Sequence, residues 1–295
     1  MTKTAFVAIV GCPNVGKSSL LNRMLGQKVA IVTQKPQTTR TKIMGVLTEG
    51  ETQLVFTDTP GYHRPKTKLG EKMIKAVGDG VTGVDVCLFV TEPEGEVKET
   101  ELELLKRLKA EKAPVVLAIN KIDTVKQKEK LMERIAAFSA VYDFEAVVPV
   151  SALRDENVDL LKDELKKLAY ESVHFFPDDT LTDQPERVLA AEMIREKALL
   201  LLDKEIPHGI AVSIEKMRER PIGGIMDVEA TIYCEKESHK GIIIGKKGDM
   251  LKKISTRARE DMENFFQCRI NLQCWVKVKE GWRNREGLIH NFGLD

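Results

Sequence analysis

The 295 residues carry 46 Lys and Arg against 45 Asp and Glu, so the length favours two domains and the net charge of +1 says nothing of a polyanionic partner until it is resolved locally. No apolar run approaches the roughly 20 residues that span a bilayer, and MTKTAFVAIV leads into a strand with no signal-peptide pattern, so a cytosolic protein is expected. Five cysteines (Cys12, Cys87, Cys234, Cys268, Cys274), odd in number and without C-x-x-C spacing, argue against a disulfide framework and a zinc site, and Cys12 is a candidate oxidation-sensitive thiol.

Ala5 to Val10 is an unbroken apolar strand, and Ser18 to Leu25 has helical periodicity. Between them Gly11-Cys12-Pro13-Asn14-Val15-Gly16-Lys17-Ser18 fits the phosphate-binding pattern G-x-x-x-x-G-K-[ST]. The glycines let successive backbone N–H groups close on an anion, and the helix N-terminus adds partial positive charge. Lys17 is expected to reach the β- and γ-phosphates, and the Ser18 hydroxyl to ligate Mg²⁺.

Val29 to Lys42 is polar and contains a proline, as a mobile loop would be. Thr39, or else Thr38, could complete the Mg²⁺ shell, which would make this loop a first switch ordered by a γ-phosphate. Short strands are predicted at Ile43 to Thr48 and Gln53 to Thr57, the second ending in Asp58-Thr59-Pro60-Gly61. A carboxylate ending a buried strand beside such a loop is placed to hold Mg²⁺, and the Gly61 N–H to meet the γ-phosphate. Tyr62 to Lys68 would be the second switch.

Asp85 to Thr91 and Pro114 to Ile119 are further apolar strands, with helices predicted near 99–110 and 126–139, an alternation that implies a mostly parallel sheet flanked by helices. Ligands of such sheets sit at the carboxyl ends of strands, where Asn120-Lys121-Ile122-Asp123 falls. The Asp123 carboxylate can accept from N1–H and the N2 amino group of guanine, whereas adenine offers neither donor. Asn120 would bond the base and the phosphate loop, and the Lys121 stem would cover the base. Ala146 to Val150 ends in Ser151-Ala152, whose Ala152 N–H could meet guanine O6.

GCPNVGKS, a QTTR loop, DTPG, NKID and VSA, in this order, resemble the five nucleotide motifs of translation-factor-class GTPases. The resemblance implies GTP hydrolysis with Mg²⁺, in which catalysis is positioning and charge stabilisation. Many GTPases carry a water-orienting Gln just after DTxG, and here that position is Tyr62. Asn14 and the TTR loop resemble members that use a K⁺ ion near this Asn, and Arg40 as an internal arginine finger is the alternative.

A helix from about Val158 to Glu171 closes a GTPase domain over 1–172, and acidic, aperiodic residues 173–185 read as a linker. Asp183 and Glu186 form a capping-box pattern opening a helix to about Glu205, broken by Pro207, His208 and Gly209. Strands over Ile210 to Glu215 and Val228 to Cys234, a short helix near Ser238 to Ile243, a longer one from Asp249 to about Phe266 and a strand from Arg269 to Val278 follow. With Gly245-Lys246-Lys247-Gly248 between the two helices, the αββααβ order of 186–295 resembles a smaller α+β KH domain of type II, whose GxxG loop clamps a single strand by its backbone. Lys240 to Glu260 holds seven basic residues against Asp249 and Glu260, a local basic patch in a neutral chain. Ile244 and Lys252 join the loop as expected RNA contacts, Ile243 and Leu251 are core, Trp275 is expected to pack, and Trp282 is open to either reading.

FFPDD, TDQPER, AEMIREK, SHKGIIIGKKG and CWVKVKEGWR complete a resemblance to the bacterial Era GTPases along essentially the whole chain. It implies a monomeric 30S-assembly factor that binds the 3′ end of 16S rRNA through its KH domain, with loose inner-membrane association. Ser255 and Gln267 depart from usual glycines of that family, and Cys12 from a common arginine. Two other readings compete: a KH module holding GTP structurally with little turnover, supported by Tyr62, and a P-loop ATP-dependent kinase, disfavoured by NKID.

Overall fold

The computed structural model describes every residue except Pro36, Lys204, Glu205 and Asp295, and for Pro207 the backbone alone. The chain forms two compact units: residues 1–30, 39–65 and 70–183, and residues 31–38, 66–69 and 184–295.

In the first unit, β1 (Lys3–Val10) and α1 (Lys17–Leu25) precede a hairpin of β2 (Ile43–Glu49) and β3 (Thr52–Asp58). There follow α2 (Lys68–Val81), β4 (Val86–Thr91), α3 (Glu99–Glu111), β5 (Val115–Ile119), α4 (Lys128–Ser139), β6 (Ala146–Pro149), α5 (Val158–Lys167) and β7 (Tyr170–Glu171). The sheet order is β2-β3-β1-β4-β5-β6, parallel except for β2 and for β7, which pairs antiparallel with Lys3 and Thr4 of β1. Period-two alternation feeds two cores. Val7, Ile9, Leu88 and Val90 pack with Leu20 and Leu21 of α1 and Leu161 and Leu165 of α5. Ala8, Val10, Cys87 and Phe89 pack with Val77 of α2, Leu104 and Leu108 of α3 and Phe138 of α4. Because β1, β3, β4, β5 and β6 run the same way, their carboxyl ends open on one edge, at a strand-order reversal around β1.

The helix expected to reach Glu171 stops at Lys167, because Tyr170 and Glu171 are drawn into pairing with β1. Helix α2 went unpredicted. Met73, Val77 and Val81 recur every four residues and are buried, but Gly70, Gly78 and Gly80 blur the pattern. Residues 173–183, expected in the linker, cluster with the first unit: Gln53 ties Phe175, Phe176 and β3 together, and the Val46 N–H donates to Leu181 O at 2.9 Å.

The second unit runs α6 (Glu186–Leu201), β8 (Ala211–Glu219), β9 (Ile225–Cys234), α7 (Glu237–Ile244), α8 (Asp249–Phe266), β10 (Arg269–Val278) and α9 (Glu286–Asn291). The αββααβ order therefore stands, followed by a further short helix. Strand β9 is central, antiparallel to β8 and parallel to β10 over ten pairs. Ala190 and Ile194 of α6 and Ile254, Ala258 and Met262 of α8 bury against Val228, Ile232 and Val276. No side chain caps α6, and Pro185 occupies the N-cap in place of the expected Asp183 box. The helix ends at Leu201, short of the expected run to about Glu205, because Leu202 is already extended (φ −107°, ψ 147°); Lys204 and Glu205 lie outside the described residues. Gln267 takes the left-handed conformation (φ 53°) at the end of α8, a position glycine occupies more cheaply.

Trp275 does not pack as expected. It lies on the strand face opposite Cys274 and Val276 and is 44% exposed. Trp282 is fully buried, with its Nε1–H donating to Gly209 O at 2.8 Å and its ring edge-on to Phe292.

Candidate functional site

Every nucleotide motif predicted in the first half lies at the carboxyl edge of the first unit's sheet. Gly11 follows β1, and the loop to Ser18 turns into α1. Gly16 sits at φ 94°, where a Cβ would come within 2.3 Å of Asn120 Nδ2, so the loop and the Asn120 motif can approach only through a glycine. Lys17 is buried, and its Nζ donates to Gly11 O at 3.1 Å and Cys12 O at 3.0 Å. Burial lowers the Lys17 pKa, against the opposing pull of Asp58. Burial also raises the Cys12 pKa, which disfavours the thiolate and so argues against oxidation sensitivity.

Three oxygens meet beside Lys17. Ser18 Oγ donates to Asp58 Oδ2 at 2.5 Å and lies 2.9 Å from Thr39 Oγ1, which is itself 3.5 Å from the same carboxylate oxygen. Thr38 turns elsewhere, its hydroxyl donating to Lys35 O at 2.6 Å, so Thr39 is the threonine that shares the carboxylate. Asp58 is fully buried, and its Oδ1 has no hydrogen-bond partner among the described residues. Two hydroxyls and one carboxylate, one of whose buried oxygens is orphaned, fit a hard divalent cation that would take its remaining ligands from phosphates and water.

Burial pushes the Asp58 pKa up to about 6, despite Lys17 and the Ser18 and Thr39 hydroxyls. A carboxyl raised above its ordinary 3.8 holds its proton more tightly folded than unfolded. Its contribution to stability is full below that value and is lost as pH rises through about 6. Asp58→Asn removes this loss. In ligand-free protein the Tm of the variant relative to wild type is expected to rise between about pH 4 and pH 6 and then level off, which scanning calorimetry across that range would measure.

The remaining motifs surround the loop. Asn120 Nδ2 donates to Val15 O at 3.0 Å, and the Ala152 N–H donates to Asn120 Oδ1 at 3.1 Å, not toward open space. Ser151 Oγ donates to Asp123 Oδ1 at 2.5 Å. Lys121, left-handed at φ 66°, reaches back to Asn14 O at 2.5 Å. Thr59 is turned inward, its hydroxyl donating to Ile9 O at 2.8 Å, and buried Pro60 leads to Gly61 against Pro13. Arg40 is buried. Tyr62 is buried among Val10, Phe89 and Leu104, with Arg107 over its ring at 5.1 Å. Its phenol ring belongs to the core, and its backbone N–H donates to Gly11 O.

Sequence reasoning missed the groups that hold these loops. Arg23 of α1 donates through Nε to Ala152 O at 3.0 Å, and Glu92 accepts from Lys121 Nζ at 2.7 Å. Glu92 stood in a telling place, just past a strand end; Arg23 sat in a helical pattern without any such signal.

The second unit presents its own candidate surface. Gly245 (φ 75°) ends α7, and a Cβ there would fall 2.8 Å from Met250 N; Lys247 and Gly248 are also left-handed. Lys246, Lys247 and Lys252 are exposed, while Ile243 is buried and Ile244 packs partly against the core. Lys253 and Arg259 are paired with Asp249 and Glu263, whereas no ion pair engages Lys246, Lys247 or Lys252 among the described residues. The exposed ammonium groups thus gather at the GxxG turn.

Comparison with known proteins agrees with both halves. Residues 6–121 match the family model of 50S ribosome-binding GTPases, and residues 205–283 match that of KH domains. GTPase Era of Clostridioides difficile (strain 630) is 50% identical over 295 residues, covering 100% of this chain and 99% of that protein. GTPase Era of Ruminiclostridium cellulolyticum is 48% identical over 291 residues, covering 99% and 97%. A crystal structure of an Aquifex aeolicus Era variant bound to GDP·AlF4− is 37% identical with a TM-score of 0.96, covering 99% of each chain. A structure of Era in complex with MgGDPNP and nucleotides 1506–1542 of 16S ribosomal RNA has the same identity and TM-score, covering 100% of this chain and 99% of that one. With this identity sustained through both the GTPase and the KH modules, the chain belongs to the Era family of GTPases.

Proposed function

We propose that this chain hydrolyses GTP as an RNA-binding switch in assembly of the small ribosomal subunit, its KH unit taking the 3′ end of 16S rRNA. The observation that carries the reading is the meeting of Ser18, Thr39 and the orphaned Asp58 oxygen beside buried Lys17, in a chain that also carries an exposed GKKG turn. Ser18, Thr39 and Asp58 would hold Mg²⁺, which when bound would neutralise negative charge on the phosphates. Lys17 stabilises negative charge on the phosphates, the loop N–H groups of Gly11 to Ser18 cradle them, and Asp123, Asn120 and Lys121 bind and orient guanine. Glycines 245 and 248 let an RNA backbone approach, and Lys246, Lys247 and Lys252 neutralise its phosphates.

Tyr62 removes the usual water-orienting amide, so charge beside Asn14 from a bound K⁺ is the reading for hydrolysis. The protein acts as a monomer in the cytoplasm on the 30S particle, with peripheral contact to the inner membrane. The relative described as a complex with nucleotides 1506–1542 of 16S rRNA supports the RNA target. A second reading, a KH module with a nearly idle nucleotide, is favoured by the buried Tyr62.

One experiment separates the readings. GTP turnover is measured in K⁺ and in Na⁺ buffer, with and without an RNA ending in the small-subunit 3′ sequence, on wild type and Lys246→Ala/Lys247→Ala. The proposal expects faster turnover in K⁺, stimulation by RNA, and loss of that stimulation in the variant, whose RNA affinity should fall at least tenfold at moderate salt. Equal rates in both salts would remove K⁺, and negligible turnover under every condition would favour the idle-nucleotide module.

A further inference from the structure

Glu92 stands one residue past the end of β4, at the edge where the nucleotide motifs gather, yet belongs to none of them. Its carboxylate accepts from Lys121 Nζ at 2.7 Å, and the same ammonium donates to Asn14 O at 2.5 Å. A lysine on a four-carbon stem is not fixed by its own rotamers, and at 36% exposure this one has room to swing. Both ends of its contact are also conformationally costly: Lys121 and Asn14 are left-handed at φ 66° and 65°, and neither is glycine.

Glu92 is in turn held from inside the unit. Arg134 of α4 donates to Glu92 O at 3.2 Å, Gly95 O at 3.0 Å and Thr91 Oγ1 at 2.8 Å. Its guanidinium is paired at 2.9 Å with Glu101, in a contact where the side chains are 1% and 2% exposed, and it stacks on Phe138 at 4.4 Å. A buried, charge-balanced anchor therefore fixes the turn after β4, the turn fixes Glu92, and Glu92 aims Lys121 at the phosphate loop. Lys98, at 4.0 Å, is the only other cation paired with Glu92 among the described residues and is farther away.

We infer that Glu92 is a positioning residue of the nucleotide site, holding the Lys121 stem where it covers the guanine ring. This rests on the reading of Lys121 as a base contact. Glu92 touches no reacting atom, so it acts on affinity and leaves the chemical step alone.

The test is a double-mutant cycle on the full chain, read by binding of a fluorescent N-methylanthraniloyl-GDP and by steady-state GTP hydrolysis. Glu92→Ala is expected to weaken GDP binding and raise KM for GTP about tenfold, with kcat within about twofold, as loss of one charge-assisted hydrogen bond implies. Glu92→Gln, which keeps an acceptor, should recover part of that loss, and Lys98→Ala should leave affinity unchanged. In a Lys121→Ala background Glu92→Ala should have no further effect. Additive losses, or a fall in kcat at unchanged KM, would overturn the inference. A Lys121→Ala variant of unaltered affinity would instead remove the base-contact reading on which it rests.

Discussion

Lys17→Met is expected to cut GTP turnover by about a hundred- to a thousandfold while leaving the ligand-free protein at least as heat-stable as wild type. The two effects have opposite signs because the ammonium is costly to the fold and necessary to the chemistry. Lys17 is buried, burial lowers its pKa against the weaker opposing pull of Asp58, and its hydrogen-bond partners among the described residues are the carbonyls of Gly11 and Cys12, which are dipoles and not counter-charges. A methionine keeps most of the stem volume and removes a charge that the fold must desolvate. In the transition state the same charge faces phosphate oxygens in a site shielded from water, where one lost donor costs about a hundred- to a thousandfold in rate. Calorimetry without nucleotide, beside single-turnover hydrolysis, measures both. A variant that loses turnover only because it unfolds would show a lowered Tm, and a variant that hydrolyses GTP normally would take Lys17 out of the site.

What was legible in the sequence follows how local the determinant is. The phosphate loop, Asp58 and the Asn120 to Asp123 turn are short segments that each follow an apolar strand, so the parallel sheet dictates where they meet. The GKKG turn was legible for the same reason, since glycine spacing and helix periodicity are both properties of neighbours in the chain. Long-range closure was not. Glu171 reads as the last turn of a helix until Lys3 and Thr4 offer it a strand to pair with, and Gln53 looks like a solvent residue until Phe175 and Phe176 bring it two backbone donors. Arg134 and Glu101 are charged residues of two predicted helices, and only the fold turns them into a buried pair. Trp275 fails differently: strand alternation places it opposite the helices, and hydrophobicity alone misled the expectation.

Asp123→Asn is expected to turn the nucleotide preference from guanine to xanthine. Two donors of guanine, N1–H and N2–H₂, pair with the carboxylate in the proposed site, and charge-assisted bonds of this kind contribute about 1.5 to 3 kcal/mol each. An asparagine meets the N2 amino group with its own amide N–H, donor against donor, so kcat/KM for GTP should fall by roughly a hundredfold to ten-thousandfold. Xanthine carries an oxygen at C2 that accepts from that amide, and XTP should become the better substrate. The fold should tolerate the change. The Ser151 hydroxyl, which donates to Asp123 Oδ1 at 2.5 Å, can donate equally to an amide oxygen, and that bond also selects the orientation in which Nδ2 faces the base. Lys17, Ser18 and Asp58 are untouched, so kcat at saturating XTP should stay within a few-fold of the wild-type rate on GTP. Competition assays with GTP, XTP and ATP on the same preparation decide the matter. Unaltered discrimination would mean that Asp123 does not read the base, while poor binding of all three with a lowered Tm would mean that the Ser151 to Asp123 bond serves the loop more than the ligand.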